Sequence, residues 1–457
     1  MTRASYFARI VLFVLILSGW SSLSSAQPLD YGKAMDDIME SYISDYPEPT
    51  IKAFDKLFAG TNVDELPATT RFFYYYYYGN CIADSDPDDA IEYLTQARTV
   101  AYSFPEVGIR NSFALDAERG LADLYMAKGT EEYVALAMLL YNDIITVGIS
   151  LLDNPDIGGL VVQSLIEEAK LGVKIWEDPE WVKKIWIQAR DLALELNQGN
   201  YYSYYILSVL KYYCDLGDYD TALSFMEDAK NKEILEIDAS SKIKYIQDTK
   251  QLLSQTESII SSKGNHSLEY WTNQLEIATL STAICSEEKS VSLLQEVENG
   301  LVANGLTESY EYAQVLFLLS NNTFKHPDIA EKYFIKQIEV LEKTPQFFAY
   351  ITDTDVYNSL AVCQMKQGKY DEAQENYQRA LTCLERDSSF SDQPGYKNVL
   401  ATVYHNLGRN LYFLGNYKES VDYFTKSIAL QEEVNGTIMP KTRIYMSESQ
   451  DKIARTK

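Results

Sequence analysis

Residues 353–385 read DTDVYNSLAVCQMKQGKYDEAQENYQRALTCLE, and residues 402–432 read TVYHNLGRNLYFLGNYKESVDYFTKSIALQE. When the two stretches are aligned on Gly368 and Gly415, their bulky and small residues fall at the same offsets. Apolar residues three or four positions apart mark one face of a helix. Each stretch therefore predicts two helices joined at a glycine, and the shared register indicates an internal repeat.

The side-chain sizes in the first copy explain how such hairpins assemble. The small residues Ala361 and Ala373 alternate with the large residues Leu360 and Tyr377. Small side chains let two antiparallel helices approach closely, and large ones fill the space beside them. Because one hairpin cannot bury its own apolar face, it must stack on neighbouring hairpins.

The spacing resembles the tetratricopeptide repeat, whose pattern is aromatic-x-x-Leu-Gly-x-x-Tyr, then Gly-x-Tyr-x-x-Ala, then aromatic-x-x-Ala. The departures are Gln364 in the tyrosine slot and Ser420 and Ser427 in alanine slots. No alternating pattern predicts strands. The resemblance implies an all-α, right-handed superhelical solenoid of helical hairpins with about eight to ten helix pairs.

Weaker matches to the same spacing extend over most of the chain. The expected organisation is a helical cap or degenerate repeat (27–68), an N-terminal array (69–265) with an extra helical segment (231–263), a C-terminal array (266–439) with its strongest repeats at 353–387 and 402–436, and a capping helix (440–457). We expect the buried alanine slot near Ala135 and, less well defined, near Lys184. Proline and glycine between residues 154 and 159 predict a loop.

Residues 1–26 have the features of a signal peptide. Arg3 and Arg9 form a basic start, residues 10–17 are apolar, and small residues precede a predicted cleavage after Ala26. We expect an exported protein, periplasmic or secreted, without stable membrane insertion after cleavage. An uncleaved N-terminal anchor is the alternative. No other segment reads as long and apolar enough to span a bilayer.

Composition narrows the classes of partner and chemistry. The chain has 40 Lys and Arg against 66 Asp and Glu, a net charge of −26. This balance argues against nucleic acid, whose phosphates need a basic surface. The five cysteines are scattered and odd in number, which fits neither a disulfide framework nor a metal site. Cys363 and Cys383 lie in one hairpin, so either a pair or two buried thiols is possible.

No stretch predicts catalysis or a cofactor. The three histidines, His266, His326 and His405, lie far apart in the sequence, and the common nucleophile, metalloprotease and phosphate-loop motifs are absent. The acidic residues 84–89 lack the glycine of a calcium loop. We interpret them as a helix N-terminus with acids in its first turn.

The resemblance also implies a binding groove lined by four slots on the first helix of each repeat. These slots hold Asp355, Asn358, Val362 and Met365 in one copy, Thr402, His405, Arg409 and Tyr412 in the next, and Tyr204 and Lys211, with Leu207 and Cys214, in an earlier unit. Arg409 with His405 would grip a carboxylate on a partner peptide. A groove of this mixed character suits an extended peptide or a helix.

Three functions are therefore open. The first is a non-enzymatic scaffold that binds another protein or an extended peptide. The second is the sensor or ligand-binding component of a signalling system. The third is a glycan-binding surface protein in which Tyr74–Tyr78 provide an aromatic platform, although packing in the core explains such tyrosines as well. The partner's identity and the oligomeric state stay open.

Overall fold

The computed structural model describes residues 31–455 except for 41–47, 84, 176–178, 198, 231, 233–234, 345–351, 387–390 and 392–393. The predicted signal peptide lies outside these residues. The described residues form α-helices and two short 3₁₀ turns, Val63–Glu65 and Ile149–Leu151, with no strand among them. The all-α prediction is confirmed for this part of the chain.

Twenty α-helices occupy the described residues. In chain order they are α1 Tyr31–Glu40, α2 Glu48–Leu57, α3 Ala68–Ile82, α4 Pro87–Tyr102, α5 Val107–Lys128, α6 Glu131–Gly148, α7 Pro155–Ile175, α8 Pro179–Glu195, α9 Gly199–Asp215, α10 Tyr219–Lys230, α11 Ala239–Lys263, α12 Leu268–Ile284, α13 Glu287–Ala303, α14 Tyr310–Asn322, α15 Pro327–Lys343, α16 Thr352–Lys366, α17 Tyr370–Arg386, α18 Pro394–Phe413, α19 Tyr417–Asn435 and α20 Pro440–Arg455.

The chain divides into two compact units at a point within α9. Unit 1 contains the described residues up to Val209 and within Lys232–Ile237, and unit 2 contains those within Leu210–Asn231 and from Asp238 onward. The boundary that the sequence predicts between the two arrays, near residue 265, stays a prediction. In unit 1 each helix from α3 to α8 packs on the next, and in unit 2 the same holds from α10 to α20. Packing between consecutive elements is the defining property of a solenoid.

The two strongest repeats have the core that their spacing predicts. Ala361, Ala373 and Tyr377 are fully buried between α16 and α17. In the next pair, Gly408 of α18 lies directly against the ring of Phe424, where a β-carbon would come within 2.9 Å of it. Small residues thus stand where a large ring from the second helix needs room.

The departures from the family pattern are satisfied by hydrogen bonds. Gln364 accepts from the Asn376 side chain at 2.8 Å, so the tyrosine slot holds a polar pair. The Ser420 hydroxyl donates to the Gly408 carbonyl at 2.8 Å, and the Ser427 hydroxyl donates to another carbonyl of α18 at 2.7 Å. These hydroxyls keep the small volume of alanine and leave no buried donor unpaired.

The acidic stretch before α4 is a helix N-terminus, as predicted. The Asp86 side chain accepts from the Asp89 backbone N–H at 3.2 Å, and Pro87 occupies the first helical position. Ala90, four residues after this cap, is fully buried. The cap therefore fixes which residue of the second helix faces its partner.

Two alanine-slot predictions were wrong by two residues. Ala135 is exposed, and Ala137 is the fully buried alanine of α6. Lys184 is exposed as well, and Val182 is buried at helical spacing from Trp186. In both helices the buried residues follow the three- and four-residue spacing of one face, which decides the register more reliably than residue size alone.

The loop predicted at 154–159 is wrong, because α7 begins at Pro155. Proline suits the first turn of a helix, where its missing N–H has no intrahelical partner. Gly159 is helical, and a β-carbon there would lie 2.1 Å from the Tyr201 ring. This glycine permits close packing rather than a turn.

One described helical stretch, Glu131–Leu151, has the length and apolar composition that a membrane span needs. No such segment beyond the N-terminus was predicted from the sequence. The core helix of a water-soluble protein meets the same criterion. Here α6 packs against both α5 and α7.

Helix α20 closes the described end of unit 2. Its Tyr445 is fully buried, and so are Thr442 and Ser449. The Tyr445 ring stacks on Phe424 at 6.1 Å, and the Ser449 hydroxyl lies 3.0 Å from that of Ser420. One face of α20 thus covers the last helix pair, as expected of a capping helix.

We predict that Gly300→Ala destabilises unit 2. Gly300 of α13 lies against Trp271 of α12, and a β-carbon would come within 1.9 Å of the indole ring. Forcing that ring aside should cost about 1–3 kcal/mol in the free energy of unfolding, measured by urea denaturation. Gly395→Ala is the matched control, since nothing lies within 4 Å of its β-carbon position. Equal denaturation midpoints for the two variants would contradict this packing.

Candidate binding surface

The predicted groove residues of α16 differ in accessibility. Asp355 is exposed, and Asn358 and Val362 are half-buried. The Asn358 side-chain oxygen accepts from Asn406 of α18 at 3.0 Å, which ties two successive first helices together. Met365 is buried in the core of this helix pair. Met365 therefore cannot contact a ligand in this conformation, and its assignment to the groove was wrong.

His405 is also buried, which corrects its assignment to the groove. Its Nδ1 lies 2.9 Å from the Thr442 hydroxyl of α20. Burial, together with the positive charges of Arg409 and Lys441, lowers the pKa of His405 to about 4. The imidazole is therefore neutral at physiological pH and cannot help Arg409 to grip a carboxylate. It holds α20 in place instead.

Arg409 and Tyr412 form the rest of the seat for α20. Arg409 Nε donates to the Tyr445 hydroxyl at 3.0 Å, and its guanidinium lies 5.5 Å from the centre of that ring. The Tyr412 ring meets Tyr445 edge to face at 5.4 Å. Thr402 is exposed. Three of the four slots predicted on α18 thus contact the capping helix.

In unit 1 a better-formed polar site surrounds Tyr204. The Tyr204 hydroxyl donates to Glu167 Oε1 at 2.5 Å, and Lys170 Nζ donates to the same oxygen at 2.9 Å. Lys170 also donates to the Tyr204 oxygen at 3.1 Å and lies 5.0 Å from the ring centre. Burial alone would raise the pKa of Glu167, but these donors lower it below its usual value. Glu167 is therefore ionised and firmly held.

A second ion pair from α5 extends this site. Arg119 Nε donates to Asp123 Oδ1 at 3.0 Å, and the guanidinium lies 5.6 Å from the centre of the Tyr141 ring. Glu167 is close enough to raise the pKa of Arg119 further. One Arg119 nitrogen, Nη1, is buried without a hydrogen-bond partner among the described residues. We refer to Arg119, Asp123, Glu167, Lys170 and Tyr204 as the polar cluster.

Of the polar cluster, only Tyr204 was predicted from the sequence. The signal for the others was present, because Leu121-Ala122 of α5 match Leu407-Gly408 of α18. In that register Arg119 and Asp123 occupy the slots of His405 and Arg409. In α5 these two slots are partly exposed to solvent, whereas in α18 they contact the capping helix. Lys211, assigned to the groove with Tyr204, is exposed and lies in unit 2.

The residues with the most reactive chemistry do not form a site. Within the described part of the chain, no group of three or more His, Cys, Asp or Glu is arranged to hold a metal ion. None of the five cysteines forms a disulfide, so Cys363 and Cys383 are not bonded to each other here. His266 and His326 are exposed. The prediction of no cofactor stays a prediction.

The geometry defines a helical-hairpin repeat protein with polar and aromatic side chains on the first helices of its pairs. Its best-preserved segment has a known family. Residues 353–433 match the family model of the tetratricopeptide repeat. The resemblance inferred from the two copies at 353–385 and 402–432 is thereby confirmed for this segment.

Two solved structures are similar to parts of the chain. One is a crystal structure of TPR-like repeats, described as nearly identical repeats, assigned to a kinesin light chain from Podosopora anserina. Its sequence is 14% identical to this chain and the TM-score is 0.34. The match covers 51% of this chain and 95% of that structure. BtubC (BKLC) from P. vanneervenii is 15% identical, with a TM-score of 0.32, over 66% of this chain and 92% of its own. Among curated proteins no match was found.

The buried His405 predicts a specific pH dependence of stability. An unfolded chain protonates histidine near pH 6.5, whereas the folded protein resists protonation down to about pH 4. As the pH falls through this window the unfolded state takes up the proton first, so stability decreases. We expect this group alone to remove up to about 3 kcal/mol of the free energy of unfolding.

Urea denaturation at pH 7 and at pH 4.5 measures this loss. A His405→Asn variant lacks the titrating ring and should lose less stability than the wild type over the same range. Carboxylates titrate in both proteins, so the difference between the two isolates the histidine. Parallel declines in stability would show that His405 is not held neutral by α20.

Proposed function

We propose that this protein is an exported, non-enzymatic scaffold that binds another protein or an extended peptide. The binding residues lie on the exposed side of the first helices of its pairs. The observation that carries this proposal is the polar cluster of unit 1, in which hydrogen bonds join Glu167 and Lys170 of α7 to Tyr204 of α9. The Arg119–Asp123 ion pair of α5 lies close enough for Glu167 to act on Arg119 electrostatically. A tetratricopeptide segment at residues 353–433 supports the general role, since repeats of this kind stack into extended interaction surfaces.

The polar cluster has the physical properties of a binding site for a chain with polar groups. Its side chains are held by one another in a single arrangement, so ordering them on binding costs little conformational entropy. Tyrosine and arginine are the residues most often found at the energetic centre of interfaces. The cluster contains two positive and two negative side chains. It therefore suits the alternating donors and acceptors of a peptide better than a highly charged ligand.

Partial exposure makes the cluster accessible. The Lys170 side chain is 39% exposed and that of Glu167 is 18% exposed. Each keeps hydrogen-bonding capacity beyond its contacts within the cluster, because an ammonium has three donors and a carboxylate about four acceptor positions. A partner backbone can thus add hydrogen bonds without breaking those already present.

Export is supported by the N-terminal sequence. Arg3 and Arg9, the apolar residues 10–17 and the small residues before Gln27 have the order of a signal peptide. The proposed partner is accordingly another exported protein. The excess of acidic residues disfavours nucleic acid as a partner.

Affinity capture from an exported-fraction extract tests the proposal. We expect the wild type to retain a protein that the double variant Glu167→Gln with Lys170→Met loses, because both side chains keep their length but lose their charge. Arg190→Met with Asp191→Asn is the matched control, since this ion pair on α8 has a similar length of 2.8 Å and lies on a second helix. Equal capture by wild type and the cluster variant would reject the polar cluster as the binding site.

A further inference from the structure

The run of five tyrosines in α3 has an exposed side as well as a buried one. Tyr76 and Tyr77 are buried, whereas Tyr74, Tyr75 and Tyr78 remain partly exposed. Tyr93 of α4 joins them, with its ring centre 4.7 Å from that of Tyr78. We refer to Tyr74, Tyr75, Tyr78 and Tyr93 as the tyrosine face.

The rings of the tyrosine face contact one another and form a continuous aromatic patch. Tyr93 lies 6.2 Å from both Tyr74 and Tyr75, and Tyr74 lies 5.6 Å from Tyr78, between ring centres. Burial raises the pKa of each of the four, so all are neutral at physiological pH. The patch therefore presents uncharged rings with negative π-electron density on their faces.

Four exposed carboxylates surround these rings. Asp55 accepts from the Tyr78 hydroxyl at 3.0 Å, and Asp64 accepts from the Tyr75 hydroxyl at 3.1 Å. Asp89 and Glu92 lie near Tyr93, whose pKa they raise after the larger effect of burial. A hydrogen bond from a neutral tyrosine hydroxyl does not remove the negative charge of the carboxylate that accepts it.

None of the four carboxylates forms an ion pair with Lys or Arg in the described part of the chain. After burial, these carboxylates are among the causes that raise the pKa values of the tyrosine face, whereas Arg71 lowers that of Tyr75. Exposed carboxylates without ion pairs make the local potential over the rings more negative.

Other tyrosines of this protein form cation–π contacts with lysines of the same chain. Lys128 lies 5.7 Å from the centre of the Tyr133 ring, and Lys426 lies 5.0 Å from that of Tyr423. No Lys or Arg of the described residues lies over a ring of the tyrosine face. The combination of open rings and unpaired carboxylates is complementary to an external cation.

We propose that the tyrosine face binds an arginine side chain in a basic segment of a partner protein. A guanidinium stacks on aromatic faces and donates hydrogen bonds to carboxylates in the same plane, which matches rings bordered by Asp55 and Asp89. This inference rests on the proposed scaffold role and adds a second surface, separate from the polar cluster, with a defined partner chemistry.

The ring geometry favours a cation over a sugar. Tyr74 meets Tyr75 at 67° and Tyr93 at 66°, whereas Tyr78 lies at 35° to Tyr74 and 32° to Tyr93, so the four rings do not form one flat platform. The hydroxyls of Tyr75 and Tyr78 already donate to aspartates and are less available to sugar hydroxyls. Aromatic rings set at angles to one another form the cages that recognise organic cations.

Fluorescence anisotropy with the full chain tests this site. The probe is a labelled peptide of alternating glycine and arginine, compared with a peptide in which citrulline replaces every arginine and so removes the charge. We expect the arginine peptide to bind about tenfold more tightly at low salt, and this preference to shrink as salt is added. Equal binding of the two peptides would overturn the proposal.

Variants then locate the site. Asp55→Asn with Asp89→Asn, and separately Tyr78→Leu with Tyr93→Leu, should each weaken arginine binding about threefold to tenfold. Tyr78→Phe with Tyr93→Phe keeps the aromatic faces and should retain binding. The asparagine and phenylalanine variants preserve packing, so they decide the question even if the leucine variant does not fold.

A charge-matched control excludes general attraction to an acidic protein. Glu257→Gln with Glu432→Gln removes two exposed carboxylates far along the sequence from the tyrosine face and should change the affinity less than about twofold. Equal losses in the control and the Asp55, Asp89 variant would overturn the proposal. So would salt-independent binding of a neutral oligosaccharide that the Tyr78, Tyr93 leucine variant loses, since this would make the face a glycan site. Neither outcome affects the polar cluster, which the capture experiment tests separately.

Discussion

A helical hairpin of about thirty residues cannot bury its own apolar face, and this constraint governs both units. The apolar face of each helix pair must therefore be buried by the next pair. Within unit 2 the cover continues until α20, whose Tyr445 is buried against Phe424 and Arg409. The last pair therefore depends on a helix that is polar on its other side, because otherwise its apolar face would meet water.

The same constraint explains which parts of the fold could be predicted. Positions that face a partner helix admit few residue types. The buried packing roles of Ala373 and Tyr377 could therefore be predicted from the sequence. The proline and glycines at 154–159 were misread because glycine serves two purposes. It relieves backbone strain in turns and makes room for a neighbouring ring, as Gly159 does for Tyr201. Only the position of the neighbour distinguishes these two uses.

Surface slots were harder to predict, because their role depends on what lies opposite. His405, Arg409 and Tyr412 occupy positions assigned to a groove, yet all three contact α20. In α5 the equivalent positions hold Arg119 and Asp123, which instead form part of the polar cluster. The sequence register correctly placed both sets on the same side of their helices. What packs against that side depends on the tertiary structure, which the register does not show.

The two candidate surfaces of unit 1 differ in electrostatic character, and this suggests different tasks. The polar cluster pairs each charge within itself and offers hydrogen bonds in a fixed arrangement. The carboxylates around the tyrosine face form no ion pair with Lys or Arg among the described residues. A balanced site favours specificity through geometry, whereas an unbalanced one increases the rate of encounter with a basic partner.

The dependence of each helix pair on its neighbour is tested most directly by hydrogen–deuterium exchange on a Tyr445→Ala variant. Removing this buried ring should destabilise the end of unit 2 by about 3–5 kcal/mol. We predict that amides of α18, α19 and α20 lose protection while those of α12 to α15 exchange as in the wild type. Uniform loss of protection across unit 2, or unchanged exchange in α18 and α19, would contradict stabilisation by successive neighbours.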